Sequence, residues 1–260
     1  MHAPFFSIII PLNKKRSYLF PFTLDSLTPQ KKEASFEVII VDGTEGQLTL
    51  DHLPIQGATV LRAEKRAAPA MLNQALKVAK GEYIHVLLPG EFYAWNHALT
   101  FLTKMIRGHG CPDLIYSPQR QRHHFGQPTV DLQPLTLRNL KQGEISVSMQ
   151  SYWIRRETLV VIGGFNESLP IQYGYDLICR LFLIPTIRKK FMKRILTDYE
   201  YRRDPPEQIW RQSVETARVS FKHFGLTRYL FLWVLQNCLR LFQFSWKMVR
   251  LSFWKKHATV

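Results

Sequence analysis

Three apolar segments, each ending at a polar residue or a turn, constrain the fold of this chain more than any other feature. They read Phe6-Ser-Ile-Ile-Ile-Pro-Leu-Asn13, Phe36-Glu-Val-Ile-Ile-Val-Asp-Gly43 and Gly81-Glu-Tyr-Ile-His-Val-Leu-Leu-Pro-Gly-Glu91. Near-continuous β-branched and aliphatic runs are typical of parallel strands that helices cover on both faces. The carboxyl ends of such strands share one edge of the sheet, where nucleotides bind in open α/β folds. The sequence therefore predicts a ligand-binding edge at the ends of these segments.

Helical patterns alternate with these strands. Apolar positions at helical spacing predict helices over 16–28, 67–80 and 94–107, with short strands at 58–61 and 114–116. This β-α-β-α order predicts an α/β fold with a mostly parallel sheet flanked by helices. Further along, the pattern predicts a strand over 147–154 and helices over 175–184 and 207–224. Residues 117–145, rich in Arg, His, Gln and Pro, are predicted to form an excursion or a flap over a site.

The chain has 260 residues, enough for one α/β domain with an appendage. We expect the domain to span 1–205 and a C-terminal helical segment to span 206–260.

The formal net charge of +15 implies an anionic partner, such as nucleic acid, an anionic membrane or a phosphate-bearing substrate. Three widely spaced cysteines without a CxxC pair fit a reducing compartment, and no signal-peptide pattern opens the sequence. No run of apolar residues is long enough to predict a spanning helix.

The segment 229–256 has a narrow basic face and a broad aromatic one. Its polar residues step by 4, 3, 4 and 3, which places them on one side of a helix; they are Gln236, Arg240, Gln243, Lys247 and Arg250. This pattern favours a helix that lies in an anionic membrane interface. The alternative is a helix that docks on the main domain or in a dimer. A nucleic-acid partner is not expected, because no nucleic-acid motif accompanies the charge.

Asp42 is the polar group that best fits a nucleotide contact. A carboxylate at the end of a parallel strand can accept hydrogen bonds from a ribose or a base. The alternative is a turn role beside Gly43. The first strand is not followed by GxGxxG, and GxxxxGK[ST] is absent from the sequence, which excludes the Rossmann dinucleotide and P-loop motifs.

An ordered series of further segments accompanies these strands. It comprises Ser7-Ile-Ile-Ile-Pro-Leu-Asn13, Thr23-Leu-Asp-Ser-Leu27, Phe36-Glu-Val-Ile-Ile-Val-Asp-Gly43, Met71-Leu-Asn73, Ala79-Lys-Gly-Glu-Tyr-Ile84, Arg155-Arg-Glu157, Gly163-Gly-Phe-Asn-Glu-Ser-Leu169 and Tyr175-Asp-Leu177 with Arg180-Leu181. Over about residues 5–203 this series resembles the family 2 glycosyltransferases, which have the GT-A fold. The subgroup looks like the colanic-acid and lipopolysaccharide type of sugar transferase.

The resemblance implies a nucleotide-sugar donor held across the strand ends. The residues it assigns to donor binding are Pro11, Leu12, Asn13, Asp42, Gly43, Asn73 and Gln150. It also implies Mg²⁺ or Mn²⁺ at the end of the third strand, where the family has acidic residues. Here those positions are Leu88 and Gly90, and Glu91 is the remaining carboxylate, either a metal contact or a solvated loop residue.

An inverting transferase needs a base for the acceptor hydroxyl. The family's base position corresponds to Gly174, which leaves Asp176 as the candidate, either as a base or as a helix cap. Where the subgroup has a His-Gln pair, this sequence has Met149-Gln150, so only the glutamine is kept. We therefore expect an inverting, hexosyltransferase-like enzyme that is peripheral on the inner face of a bacterial cytoplasmic membrane. Its acceptor would be a glycan, lipid-linked in surface polysaccharide or lipopolysaccharide synthesis. The rival hypothesis is an inactive GT-A-fold protein that binds a nucleotide-sugar, a glycan or a partner transferase at the membrane.

Overall fold

A computed structural model describes residues 3–32, 34–46, 57–118, 120–121, 129–130, 132–143, 148–199 and 206–226, together with Phe231 and Leu235. The strands in chain order are β1 (Phe6–Leu12), β2 (Phe36–Asp42), β3 (Thr59–Arg62), β4 (Tyr83–Val86), β5 (Glu91–Tyr93), β6 (Leu114–Tyr116), β7 (Arg120–Gln121), β8 (Thr129–Val130), β9 (Tyr152–Arg155), β10 (Lys189–Phe191) and β11 (Thr197–Tyr199). The helices are α1 (Phe20–Leu27), α2 (Ala68–Val78), α3 (Ala98–Gly108), α4 (Leu137–Lys141), α5 (Arg156–Val161), α6 (Tyr173–Leu183) and α7 (Pro206–Phe224).

Seven strands form the central sheet, in the order β10-β6-β9-β4-β1-β2-β3. β1 is parallel to both β2 and β4, whereas β9 is antiparallel to its neighbours β4 and β6. The predicted α/β class with a mostly parallel sheet is therefore confirmed. Because β9 runs the other way, its first residues lie at the edge where β4 ends.

Alternate residues of the strands face two apolar layers. Ile9 of β1 packs with α2 and α6 on one face, while Ile8 and Ile10 pack with α1 and α3 on the other. This period of two is the side-chain alternation of a strand. Every residue of β1 is buried, because helices cover both faces.

The helix α7 packs on the rest of the domain. Glu215 Oε2 accepts hydrogen bonds from the backbone N–H groups of Ile171 (3.0 Å) and Gln172 (2.8 Å). The Gln172 side chain in turn donates to Thr216 Oγ1 at 2.7 Å. The first part of the predicted 206–260 segment is thus fixed to the start of α6. Within the described residues, none of the helices is both long and apolar enough to span a membrane.

Several local predictions differ from the structure. The predicted strand 147–154 begins at Tyr152, after a 3-10 turn over Met149–Ser151. The 117–145 excursion contains the antiparallel pair β7 and β8 and the helix α4, which Thr136 caps by accepting the Asn139 N–H. Residues 122–128 of this excursion and most of 229–256 lie outside the described residues.

Candidate functional site

The ends of β1 and β2 meet as the sequence predicts. Leu12 is the register neighbour of Asp42, and Asp42 is the neighbour of Arg62 on β3. The Gly43 N–H donates to the Leu12 carbonyl at 2.8 Å. A Cβ atom at Gly43 would lie 3.1 Å from that carbonyl oxygen and 3.3 Å from Met71 Sδ. A side chain here would need its neighbours to move by a few tenths of an ångström, so close packing favours glycine, and the buried Pro11 and Leu12 shape the edge through their backbone.

The half-buried side chains of Asn13 and Asp42 stabilise turns at this edge. Asn13 Oδ1 accepts the Arg16 N–H at 3.1 Å. Asp42 Oδ1 accepts both the N–H (2.8 Å) and the hydroxyl (2.6 Å) of Thr44. Within the described residues this turn engages only Oδ1, so Asp42 Oδ2 remains able to accept a hydrogen bond from a ligand hydroxyl.

The end of the third strand is a tight turn built around Gly90. The Leu87 N–H donates to the Ile9 carbonyl at 3.0 Å, which brings this turn beside the end of β1. Gly90 has φ +94°, and a Cβ atom there would lie 2.9 Å from Leu19 Cδ1. An acidic residue at position 90 would have a strained backbone in this conformation, and its side chain would collide with Leu19, which directly precedes α1.

Glu91 closes the same turn from inside the protein. It is 7% exposed, and its Oε2 accepts the Leu88 N–H at 2.6 Å. Burial raises the pKa of Glu91 to about 8, against the lowering effects of the Leu88 N–H and the Arg16 charge. In the described part of the chain, no three His, Cys, Asp or Glu side chains are grouped as metal ligands. A single buried carboxyl engaged by the backbone does not fit the oxygen-rich sphere of Mg²⁺ or Mn²⁺, so the metal role predicted for Glu91 finds no support in this geometry.

Asn73 and Gln150 serve structural contacts. Asn73 Oδ1 accepts the Phe165 N–H and Asn73 Nδ2 donates to the Phe165 carbonyl, both at 2.8 Å. These bonds hold the Gly163-Gly164 turn against α2. Gln150 is 1% exposed, and its side chain contacts Ser148 Oγ. It lies at the predicted edge, but its side chain points into the protein rather than toward solvent.

A buried histidine network lies beside Gln150, and the sequence did not identify it. His85 Nε2 lies 2.9 Å from the Gln150 carbonyl and Nδ1 lies 2.5 Å from the Tyr93 hydroxyl. A carbonyl only accepts, so Nε2 carries the proton and the Tyr93 O–H donates to Nδ1. The imidazole stacks on Trp153, and burial lowers the pKa of His85 to about 3. A histidine inside an otherwise apolar strand was the available signal for this network.

Asp176 is fully buried in a cluster of cations. Its Oδ2 accepts from Arg180 Nε at 2.8 Å. Its Oδ1 accepts from His223 Nε2 at 2.9 Å and from Lys222 Nζ at 3.2 Å. Burial opposes ionisation, but the His223 hydrogen bond and the Arg180 and Lys222 charges hold the pKa of Asp176 well below its usual range.

The contacts of Asp176 differ from both roles considered for it from the sequence. The N-cap of α6 is Gln172, so Asp176 lies in the first turn rather than at the cap. Arg180 also donates to the carbonyls of Ile162 and Gly164. Asp176 therefore joins α6, α7 and the 162–164 turn, and both of its oxygens are occupied. In this arrangement it is a structural anion, which is poorly placed to act as the predicted base.

Met149 and Gly174, two positions at which the sequence departs from the family pattern, lie against each other. A Cβ atom at Gly174 would be 3.0 Å from Met149 Cγ and 3.1 Å from Met149 Sδ. Met149 is only 7% exposed and packs in the apolar layer with α6. The missing carboxylate at 174 and the missing histidine at 149 are thus parts of one apolar contact.

Solved structures similar to this one establish the fold. TarS of S. aureus matches with a TM-score of 0.61 at 19% identity, over 92% of this chain and 44% of that one. TarS 1–349 in complex with UDP-GlcNAc matches with a TM-score of 0.61 at 19% identity, over 84% of this chain and 67% of that one. The mannosyltransferase PcManGT from Pyrobaculum calidifontis, in complex with GDP-Man and Mn²⁺, has a TM-score of 0.60 at 17% identity, over 87% and 66%.

These likenesses define the class of fold, which is the GT-A fold that the family resemblance implies. The chain spans less than half the length of the full TarS chain. No protein-family model matches it, and a search of curated proteins gives no match.

Proposed function

We propose that this chain is a glycosyltransferase that transfers a sugar from a nucleotide-sugar donor. The observation that carries the proposal is the GT-A fold, shared over 84% or more of the chain with proteins solved with UDP, UDP-GlcNAc or GDP-Man. The edge formed by Asn13, Asp42 and Gly43 supplies a place for the nucleotide. There Asp42 Oδ2 would accept a hydrogen bond from a ribose hydroxyl or a base.

Side-chain cations rather than a metal would meet the charge of the donor diphosphate. The exposed Lys14 and Lys15 directly follow Asn13 at the nucleotide edge. Lysine ammonium groups are effective phosphate partners. Mn²⁺ accompanies GDP-Man in the mannosyltransferase, but the carboxyl present here, that of Glu91, does not fit a metal.

The acceptor proposed is a lipid-linked glycan, in the synthesis of bacterial surface polysaccharide or lipopolysaccharide, with inversion at the transferred sugar. The net charge of +15 and the basic amphipathic pattern of 229–256 support a peripheral position on the inner face of the cytoplasmic membrane. Such a position would concentrate the enzyme where a lipid-linked acceptor lies.

Calorimetry with UDP-, GDP- and dTDP-sugars tests the donor site. At least one donor should bind, and EDTA should leave the Kd unchanged. Asp42→Asn should weaken binding about tenfold, because a charge-assisted hydrogen bond is replaced by a neutral one. The matched control is Asp25→Asn, which removes an exposed carboxylate on α1. The proposal fails if no nucleotide-sugar binds, or if Asp42→Asn binds the donor as tightly as the control Asp25→Asn does.

A second candidate function is a GT-A-fold protein without catalysis. It would bind a nucleotide-sugar, a glycan or a partner transferase at the membrane. The contact of Met149 with Gly174 and the full engagement of Asp176 favour it, because neither position 174 nor position 176 then offers an open carboxylate to the acceptor hydroxyl. Tight donor binding together with neither hydrolysis nor transfer of a radiolabelled sugar would select this candidate over the enzyme.

A further inference from the structure

A cavity of about 490 Å³ opens at the edge of the sheet opposite to the nucleotide edge. Three of its residues directly precede parallel strands: Phe5 before β1, Ser35 before β2 and Glu82 before β4. The seven residues of β1 separate this cavity from Asn13 by roughly 20 Å at the rise of an extended strand. The cavity is therefore a separate place from the proposed donor site.

Backbone hydrogen bonds hold the walls of the cavity. The Phe5 N–H donates to the Ser35 carbonyl at 3.0 Å, and the Tyr83 N–H donates to the Phe5 carbonyl at 3.0 Å. The Arg156 N–H donates to the Glu82 carbonyl at 2.8 Å. The walls of the cavity are therefore formed by the backbone of the central strands and by the junction of β9 with α5.

The lining carries an excess of positive charge. Lys80, Arg107, Arg155 and Arg156 face two carboxylates, Glu82 and Glu157, which leaves a net charge of two positive units. The arginines come from two places in the fold: Arg155 and Arg156 are adjacent at the junction of β9 with α5, and Arg107 lies in the last turn of α3. The approach of Arg107 to this pair is therefore a product of the tertiary structure.

These cations are only partly used by the protein. Arg155 Nη2 lies 3.3 Å from Glu157 Oε2, but Arg155 Nε is buried without a hydrogen-bond partner in the described structure. Arg156 Nε donates to the Gly81 carbonyl at 3.2 Å, and the Arg107 guanidinium lies 5.2 Å from the Phe5 ring centre. Among the described residues, Lys80, Arg107 and Arg156 have no carboxylate within ion-pair distance. A buried donor without a partner costs free energy, so the lining carries positive charge and a donor that the described protein groups do not satisfy.

We propose that this cavity binds a phosphate-bearing anion. Guanidinium groups match phosphate oxygens with paired N–H donors, and several of them around one group favour phosphate over a single carboxylate. The net charge of two positive units matches a doubly charged phosphate. The phosphate belongs either to a phosphorylated solute or to a lipid headgroup, and the two sources share this chemistry.

Calorimetry of the full chain with inorganic pyrophosphate tests the site. Arg107→Gln and Arg156→Gln should each weaken pyrophosphate binding about tenfold, because each removes a charge-assisted contact. Lys104→Gln is the matched control, since it removes one exposed positive charge from the same helix as Arg107. Melting temperatures show that each variant is folded.

Vesicles distinguish the two sources of phosphate. Full chain and both arginine variants are sedimented with phosphatidylcholine vesicles that contain or lack phosphatidate. Weaker retention of both variants on phosphatidate, with retention of Lys104→Gln unchanged, assigns the site to lipid phosphate. If all forms are retained equally on the vesicles while the two arginine variants bind pyrophosphate more weakly, the site binds the phosphate of a solute. The proposal is overturned if pyrophosphate does not bind, or if both arginine variants and Lys104→Gln bind it as tightly as the wild type.

Discussion

The fully buried Asp176 carboxylate accepts hydrogen bonds from the side chains of Arg180, Lys222 and His223. Two of its partners, Lys222 and His223, lie 46 and 47 positions further along the chain. A local motif contains no information on such distant partners, so the sequence offered Asp176 as a base or a cap and not as the centre of this cluster. The same limit applies to Glu91, whose burial depends on how β5 and β11 pair.

Asp176→Asn should lower the free energy of unfolding by about 3 kcal/mol, because it leaves the half-buried Arg180 and the neighbouring Lys222 without their common anion. Urea denaturation at pH 7 measures the change, and Asp25→Asn should remain within about 0.5 kcal/mol of the wild type. The folded-state pKa of Asp176 is lowered, so its stabilisation is complete above the unfolded pKa of about 3.9 and is lost as pH falls below it. Unchanged stability combined with loss of sugar transfer would instead make Asp176 a base.

The buried imidazole of His85 should remain neutral well below the ordinary pKa of histidine. Its folded-state pKa is lowered to about 3, so the unfolded chain binds more protons as the pH falls from about 6.5. The free energy of unfolding should therefore decrease as the pH falls from about 6.5 toward about 3. His85 should contribute at most about 1.4 kcal/mol per pH unit to this decrease. NMR of the ring should show no titration between pH 8 and pH 5. A ring that titrates near pH 6.5 would contradict the buried network.

Elements differ in how far the sequence predicts them. The strands β1, β2 and β4 and the helices α2 and α3 are specified by local apolar patterns, and the sequence places them well. The three-residue strands β5, β10 and β11 were not predicted, because each forms only through pairing with a partner distant in sequence. The short helix α4 was missed although Thr136 and Asn139 form a recognisable cap.

The contact between the 3-10 turn before β9 and the first turn of α6 couples two positions. Gly174→Asp should destabilise the protein by about 1–3 kcal/mol, because its Cβ enters the space of Met149. Met149→Ala should reduce that cost by at least about 0.5 kcal/mol in a double-mutant cycle. Urea denaturation of the four proteins gives the coupling energy. Additive effects would show that the two residues are not in contact, and donor hydrolysis gained only by the double variant would indicate that position 174 faces the acceptor.

At the scale of the whole molecule, α7 carries an exposed apolar face beside basic residues. Trp210, Val214 and Phe221 are spaced by 4 and 7 positions and are 41–59% exposed. Arg211 and Arg218 are exposed on the same helix. We propose that this face and the basic aromatic pattern of 229–256, which follows α7 in the sequence, both contribute to a membrane-binding surface.

Binding to anionic vesicles should depend on this surface in two separable ways. Removal of 229–260 deletes Arg240, Lys247, Arg250, Lys255 and Lys256, and each basic residue near an anionic surface contributes about 1 kcal/mol. Sedimentation with phosphatidylserine vesicles should therefore fall at least about tenfold, and salt should weaken the binding of the full chain. Trp210→Ala should weaken it further through lost apolar insertion, whereas Phe22→Ala, an exposed aromatic residue on α1, should not. Equal binding by the truncated and full chains would exclude the tail as the anchor, and a Phe22 effect as large as the Trp210 effect would exclude α7 as the inserting face.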